Sequence, residues 1–252
     1  MFLSKDDLKL GFGVDMEIGR FFVDRKVPQH NYYWHKRLLY MHNMPGYLFI
    51  PVYTDIAYRL GLPKQQLLSE EYVTLAEDIL NSAGKLEFNL CTYKEHIREC
   101  TDLARARCNN TEFLNDLIYY FNGEKEKVTV ELGTPFKSLN RADTYLFSLC
   151  YFSFDREQKE KLVESWKALM TYYLIMDDLD DIKEDIKNHE ENALIDAGLN
   201  EKGAAIIESM YEESYKVLLK VNPVLANRMD YKRHYFDVKK IISSFLTEKP
   251  VS

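Results

Sequence analysis

Residues 156–187 read REQKEKLVESWKALMTYYLIMDDLDDIKEDIK. Apolar positions recur every three or four residues and nothing in the stretch breaks a helix, so the spacing predicts one α-helix of about nine turns. Asp155 stands at its N-cap, with Gln158 three residues on as a capping box and Phe154 placed for a hydrophobic staple. At about 100° per residue, Val163, Trp166, Met170 and Leu174 share one face, while Lys161, Glu164 and Ala168 mark the opposite, wetter side. Asp177, Asp178, Asp181 and Asp185 continue the apolar face over an arc of about 100°. From Ile175 the apolar stripe also shifts, through Leu179, Ile182 and Ile186, which would turn the acids to water. Bare carboxylates about 4 Å apart repel by roughly 4 kcal/mol at an effective dielectric of 20. An inward-facing ladder of them therefore calls for protons, basic side chains, water or a hard cation. Mg²⁺ suits such oxygens, bridging one or two carboxylates to substrate phosphates.

Working outward, the same helical period covers most of the 252 residues. Breaks fall at Pro45-Gly46, Gly61 to Pro63, Ser82 to Gly84, Asn109-Asn110, Asn122-Gly123, Gly133 to Pro135, Ser153 to Asp155, Gly198 to Gly203 and Pro223. Thr134-Pro135 reads as an N-cap and first helical residue, starting a further helix. No solenoid period and no long linker divides the chain. The expectation is a single all-α domain over residues 1–252, a bundle of about eight to ten helices, with 1–29 as an N-terminal segment and 30–248 as the helical core.

Composition narrows the partners. A formal net charge of -7 disfavours broad nucleic-acid binding, which needs clustered Lys and Arg. Ten Gly and seven Pro are too few for the many turns of an all-β sandwich. Cys91, Cys100, Cys108 and Cys150 form no CxxC pair and read as buried thiols of a reducing compartment. His35, His42, His96 and His234 show no zinc spacing and read mostly as surface or satisfied helix residues. The opening MFLSKDDLKLGFG has acids where a signal peptide needs an apolar core, and no stretch is long enough to cross a bilayer, so a cytoplasmic protein without a transmembrane segment is expected.

MDDLDDIKED resembles the second aspartate-rich motif of the polyprenyl diphosphate synthases, which have the class I isoprenoid synthase fold. Asp177, Asp178 and Asp181 fill its DDxxD, and Asp185 the later Asp. The family's Phe-Gln segment falls on Tyr172 to Met176, which lacks Gln. Its upstream Lys-Thr pair is matched by Lys137-Ser138, and its Gly-Gly-Lys-Arg-Leu-Arg-Pro motif partly by Trp34 to Tyr40, through Lys36, Arg37 and Leu38. The first aspartate-rich motif is reduced to EDILN, Glu77 to Asn81, without the Arg-Arg pair that follows it in the family. The layout resembles the family from about residue 30 to 200. Terpene cyclases share the fold but place their motifs differently, and a second DxxxD, as in squalene and phytoene synthases, is missing.

The resemblance implies Mg²⁺-dependent prenyl transfer on allylic diphosphates, with metals stabilising the departing diphosphate in a dry site. It makes Asp177, Asp178, Asp181 and Asp185 metal ligands, Glu77 and Asp78 the opposite cluster, and Lys137, Lys36 and Arg37 diphosphate contacts; it also implies a homodimer. The lengthened ligand at Glu77, the lost charge at Asn81 and the missing arginines weaken that assignment. Three readings stay open on sequence: a prenyltransferase or other class I isoprenoid synthase, a relative of that fold that only binds a ligand or partner, and an unrelated helical bundle with a solvated acidic helix end.

Overall fold

The stretch that decides the fold is a single rod. In a computed structural model, which describes residues 4–35, 45–233 and 237–247, residues Arg156–Asn188 form one uninterrupted α-helix. The Asp155 carboxylate accepts the Gln158 N–H at 2.8 Å, so the N-cap stands as read. The staple does not: the fourth helical residue is Lys159, and Phe154 packs edge-on against Phe113 instead, ring centres 5.4 Å apart.

Twelve α-helices and four 3-10 segments make up the described residues, with no strand among them, two more helices than the upper expectation. They are α1 (Lys5–Phe12), α2 (Met16–Asp24), α3 (Pro45–Arg59), α4 (Lys64–Leu67), α5 (Glu70–Glu87), α6 (Tyr93–Arg105), α7 (Thr111–Phe121), α8 (Arg156–Asn188), α9 (Ala193–Ala197), α10 (Glu201–Val221), α11 (Pro223–Arg233) and α12 (Val238–Thr247). The surplus comes from short pieces such as α4 and α9, four and five residues long, which a periodicity window cannot see.

Helix α8 is the axis, packed by α3, α9, α10 and the 3-10 turn Lys137–Asn140. Its middle is buried on every side, so Ala168, read as facing water, is buried at 4% exposure. An aromatic cluster fixes α8 against α3. Trp166 stacks on Tyr145 at 5.3 Å and meets Tyr53 edge-on at 4.9 Å, and the Tyr53 hydroxyl donates to the Leu162 carbonyl at 3.0 Å. Tyr145 belongs to a nine-residue 3-10 segment, Asp143–Tyr151, in which Asp143 to Cys150 are all buried. Three residues per turn spread these side chains evenly round the axis, which suits a segment with α5, α6 and α7 on different sides.

Two expected boundaries are corrected. Thr134-Pro135 starts no α-helix: the Thr134 N–H and hydroxyl both donate to Asn140 Oδ1, closing a loop before the 3-10 turn at Lys137. Nor do Ser82 to Gly84 break α5, which runs on to Glu87. Gly84 is there for close approach, since a Cβ on it would lie 2.4 Å from the Tyr33 nitrogen. Helices α1 and α2 join the common core through Leu8, Ile18 and Phe22.

Candidate functional site

The aspartates of α8 do not act as one ladder. Asp178 is buried at 2% exposure: its Oδ1 accepts from Arg141 Nη2 at 2.9 Å and its Oδ2 accepts the Ala193 N–H of α9 at 2.6 Å. Asp185, also buried, accepts from Asn192 Nδ2 at 2.8 Å, and that amide donates at the same distance to the Asp178 carbonyl. Both carboxylates thus anchor the Asn192–Ala193 turn that starts α9. Asp177 is half-exposed with Arg141 Nη2 3.3 Å away, and Asp181 is exposed. Burial pushes the Asp177 and Asp178 carboxyls up, against the opposing pull of Arg141. The shifted stripe is real as well: Ile175, Leu179 and Ile182 are buried.

The other proposed cluster faces elsewhere. Glu77 takes two hydrogen bonds from Arg25, at 2.6 and 2.8 Å, and Arg25 also holds both oxygens of Glu70. Burial raises the Glu77 carboxyl, with Arg25 opposing it. One turn on, Asn81 Oδ1 accepts the Tyr32 N–H at 2.8 Å. Glu77, Asn81 and Gly84 therefore form the face of α5 that seats the turn Tyr32–Trp34. Asp78 is half-buried, 4.0 Å from Arg107. Lys137 is exposed and paired with Glu191, while Lys36 and Arg37 lie outside the described residues.

The six carboxylates assigned to Mg²⁺ do not come together, and no group of three or more His, Cys, Asp or Glu among the described residues is arranged to hold a metal ion. The donor set fails for a physical reason: both oxygens of Asp178 and of Glu77, and Oδ2 of the buried Asp185, already accept from backbone N–H, amide or guanidinium donors. Of the other three, Asp177 shares Arg141, Asp78 lies near Arg107, and Asp181, one turn from Asp177, is exposed.

What the fold does build is a hollow beside Asp177. A cavity of about 580 Å³ lies between α5 and α8, within the usual range of small-molecule sites. Ile79, Leu80, Ala83 and Leu86 line it from α5, and Met170, Tyr173 and Leu174 from α8. Asp177 and Arg141 stand in its wall. The hydroxyl of Tyr173, a residue only 7% exposed, has no hydrogen-bond partner among the described residues. A second cavity of about 590 Å³ shares Leu86, His96, Arg141 and Thr144 with the first. Its wall carries Lys125, Lys137 and Arg141 against the single acid Glu191. An apolar chamber and a basic one thus meet at one arginine.

Comparisons with known proteins are silent. No family model, no curated protein and no solved structure matches this chain.

Of the residues read from the sequence, Asp177, as a metal ligand, and Lys137, as a diphosphate contact, fall in these walls; His96 reads in sequence as an ordinary helix residue, and Arg141, Thr144 and Tyr173 are not singled out by it. Arg141 follows Lys137 by four residues, and that basic repeat was the available signal.

Proposed function

We propose that this chain acts on allylic prenyl diphosphates as a divergent protein of the isoprenoid-synthase kind. The hydrocarbon occupies the apolar chamber and the diphosphate the basic one, with Arg141 at the joint. The observation that carries this reading is the shared wall: one molecule with a greasy tail and an anionic head fills both cavities, and neither half alone does. The lining charge agrees, since Lys125, Lys137 and Arg141 outnumber Glu191 where phosphate oxygens would lie. The resemblance of MDDLDDIKED to a prenyl diphosphate motif supports the same ligand class. Mg²⁺ would enter with the diphosphate as its counter-ion, and of the six carboxylates only Asp177, beside Arg141 in the first chamber's wall, lines either cavity.

A second reading, binding without turnover, is favoured by one observation: Asp178, Asp185 and Glu77 serve as anchors and salt-bridge partners. Two assays order the readings. The melting temperature should rise with Mg²⁺ plus farnesyl diphosphate and not with inorganic diphosphate, and no rise with any prenyl diphosphate would defeat both. Release of diphosphate from farnesyl diphosphate, alone or with isopentenyl diphosphate, supports catalysis, whereas binding without release supports the second reading.

A further inference from the structure

Where the two cavities meet, one buried side chain has a basic atom and a complete set of supports behind it. His96 of α6 is 2% exposed and lines both chambers. Its Nδ1 lies 2.9 Å from Ser82 Oγ, and its Nε2 lies 3.3 Å from Thr144 Oγ1 in the shared wall. The Ser82 hydroxyl has a single proton, which it donates to Glu99 Oε2 at 2.8 Å. Toward the imidazole Ser82 can then only accept, so Nδ1 carries the ring proton and Nε2 is left with its lone pair. The Cys100 sulfur, 3.6 Å from Nδ1, does not compete: burial pushes its thiol up to about 12, and a neutral thiol is a weak partner. Glu99 Oε1 is held by Lys85 at 2.7 Å, which completes a chain from the cavity wall to the half-exposed rim of α5 and α6. The charges behind the ring are Glu99 and Lys85; Glu87, Asp177 and Arg141 line the first chamber with it, and Lys125, Lys137 and Glu191 the second. Burial holds the His96 pKa below its ordinary value, so the ring rests neutral at pH 7 and free to take a proton.

We propose that His96 is the proton acceptor of the ligand cavity, its Nε2 kept basic and aimed at the chamber junction by the Ser82–Glu99 relay, with Thr144 as the hydroxyl between it and the ligand. The proposal rests on the prenyl diphosphate reading and adds the group that receives the proton such chemistry sheds. When the C–O bond to diphosphate breaks, its electron pair leaves with the diphosphate and an allylic cation remains. A C–H bond next to the cationic system then breaks, and its electron pair becomes the new π bond. The freed proton goes to Thr144 Oγ as Thr144 hands its own proton to Nε2. The products are an alkene, inorganic diphosphate and an imidazolium whose Nδ1–H points through Ser82 to Glu99; the proton later passes to water. A relaying hydroxyl, a base and an acid that orients the base are the parts a general-base site needs.

The test is ¹⁵N-histidine NMR on the full chain, read with melting curves. Long-range ¹H–¹⁵N spectra at pH 7 should show His96 as the neutral Nδ1–H form. Addition of the non-ionising farnesyl thiodiphosphate should raise the melting temperature and shift the Nε2 resonance, leaving Nδ1 nearly unmoved. Ser82→Ala should convert the single tautomer to a mixture while the ligand still raises the melting temperature, a change that a purely packing role for Ser82 would not give. An Nε2–H tautomer, a ring already charged at pH 7, or an Nε2 resonance unmoved by a ligand that does raise the melting temperature overturns the proposal. If neither farnesyl diphosphate nor the thio analogue raises the melting temperature, the ligand reading itself falls and takes the proposal with it.

Discussion

Replacing Arg141 with Met tests the joint of the site and the fold together. Arg141 Nη2 donates to Asp178 at 2.9 Å, and the carboxylate is 2% exposed while the arginine side chain is 30% exposed. Breaking a fully buried ion pair costs about 3–5 kcal/mol, because one charge is left without a partner, whereas an exposed pair is worth about 0–1 kcal/mol. This pair is buried on the acid side only, and Asp178 keeps the Ala193 N–H, so a loss of about 2–3 kcal/mol is expected. For a chain of this length that lowers the melting temperature by about 5–10 °C. Asp178→Asn keeps an acceptor for Ala193 but turns a donor toward Arg141, and should cost about 1–3 kcal/mol. In the double variant neither a buried charge nor opposed donors remain, so the combined loss should fall short of the sum of the singles by about 1 kcal/mol or more. Urea unfolding of the four proteins measures this. Strict additivity, or an Arg141→Met protein as stable as the parent, would refute the assignment of Asp178 as a carboxylate anchored by Arg141. The same variant should lose affinity for farnesyl diphosphate at least tenfold, since Arg141 stands in both chambers.

Further outcomes follow from single contacts. Asp143 is buried with only neutral donors, Tyr120 Oη at 2.7 Å and Trp166 Nε1 at 2.8 Å, and burial pushes its carboxyl up to about 6. The folded chain therefore holds that proton more tightly than the unfolded one, and stability falls as pH rises from about 4 to 6, by about 3 kcal/mol in all. Asp143→Asn should remove this dependence, so its stability relative to the parent should improve between pH 4 and pH 7 in chemical denaturation; parallel pH profiles would contradict it. Gly84→Ala should destabilise by about 1–3 kcal/mol despite the better helix former, because the new methyl meets the Tyr33 backbone. Glu77→Gln should leave farnesyl diphosphate binding unchanged, whereas Asp177→Asn/Asp181→Asn should abolish any Mg²⁺ dependence of the melting shift. Ala83→Trp should fill the apolar chamber and remove binding while the far-ultraviolet circular dichroism stays helical.

The helices were legible because their signals are local. The α8 boundaries follow from Asp155 and an unbroken 3.6-residue period, and most of the marked breaks fall at helix ends, as at Asn110, Gly123 and Pro223. What misled were residues doing long-range work. Ser82 and Gly84 look like a break in sequence; in the fold Ser82 reaches Glu99 and His96 on α6, and Gly84 lets the Tyr32–Trp34 turn lie against α5. Thr134-Pro135 carries helix-start chemistry, yet Asn140 captures the threonine first. For the acidic run, the period placed four carboxylates on one arc but gave no account of their partners. Arg141, Asn192 and Ala193 divide the run into anchors and open groups, and each partner comes from a segment 7 to 37 residues away. The cavity itself was out of reach, because its walls join α5 and α8 across some ninety residues of sequence.

The central claim is that two chambers joined at Arg141 take one amphiphile. Isothermal titration of the same protein with farnesyl diphosphate, farnesol and inorganic diphosphate tests it most directly. The account predicts that farnesyl diphosphate binds at least tenfold more tightly than either fragment, and that Ala83→Trp and Arg141→Met each remove the advantage. Equal affinity for farnesyl diphosphate and inorganic diphosphate, or tighter binding of farnesol than of its diphosphate, would contradict it.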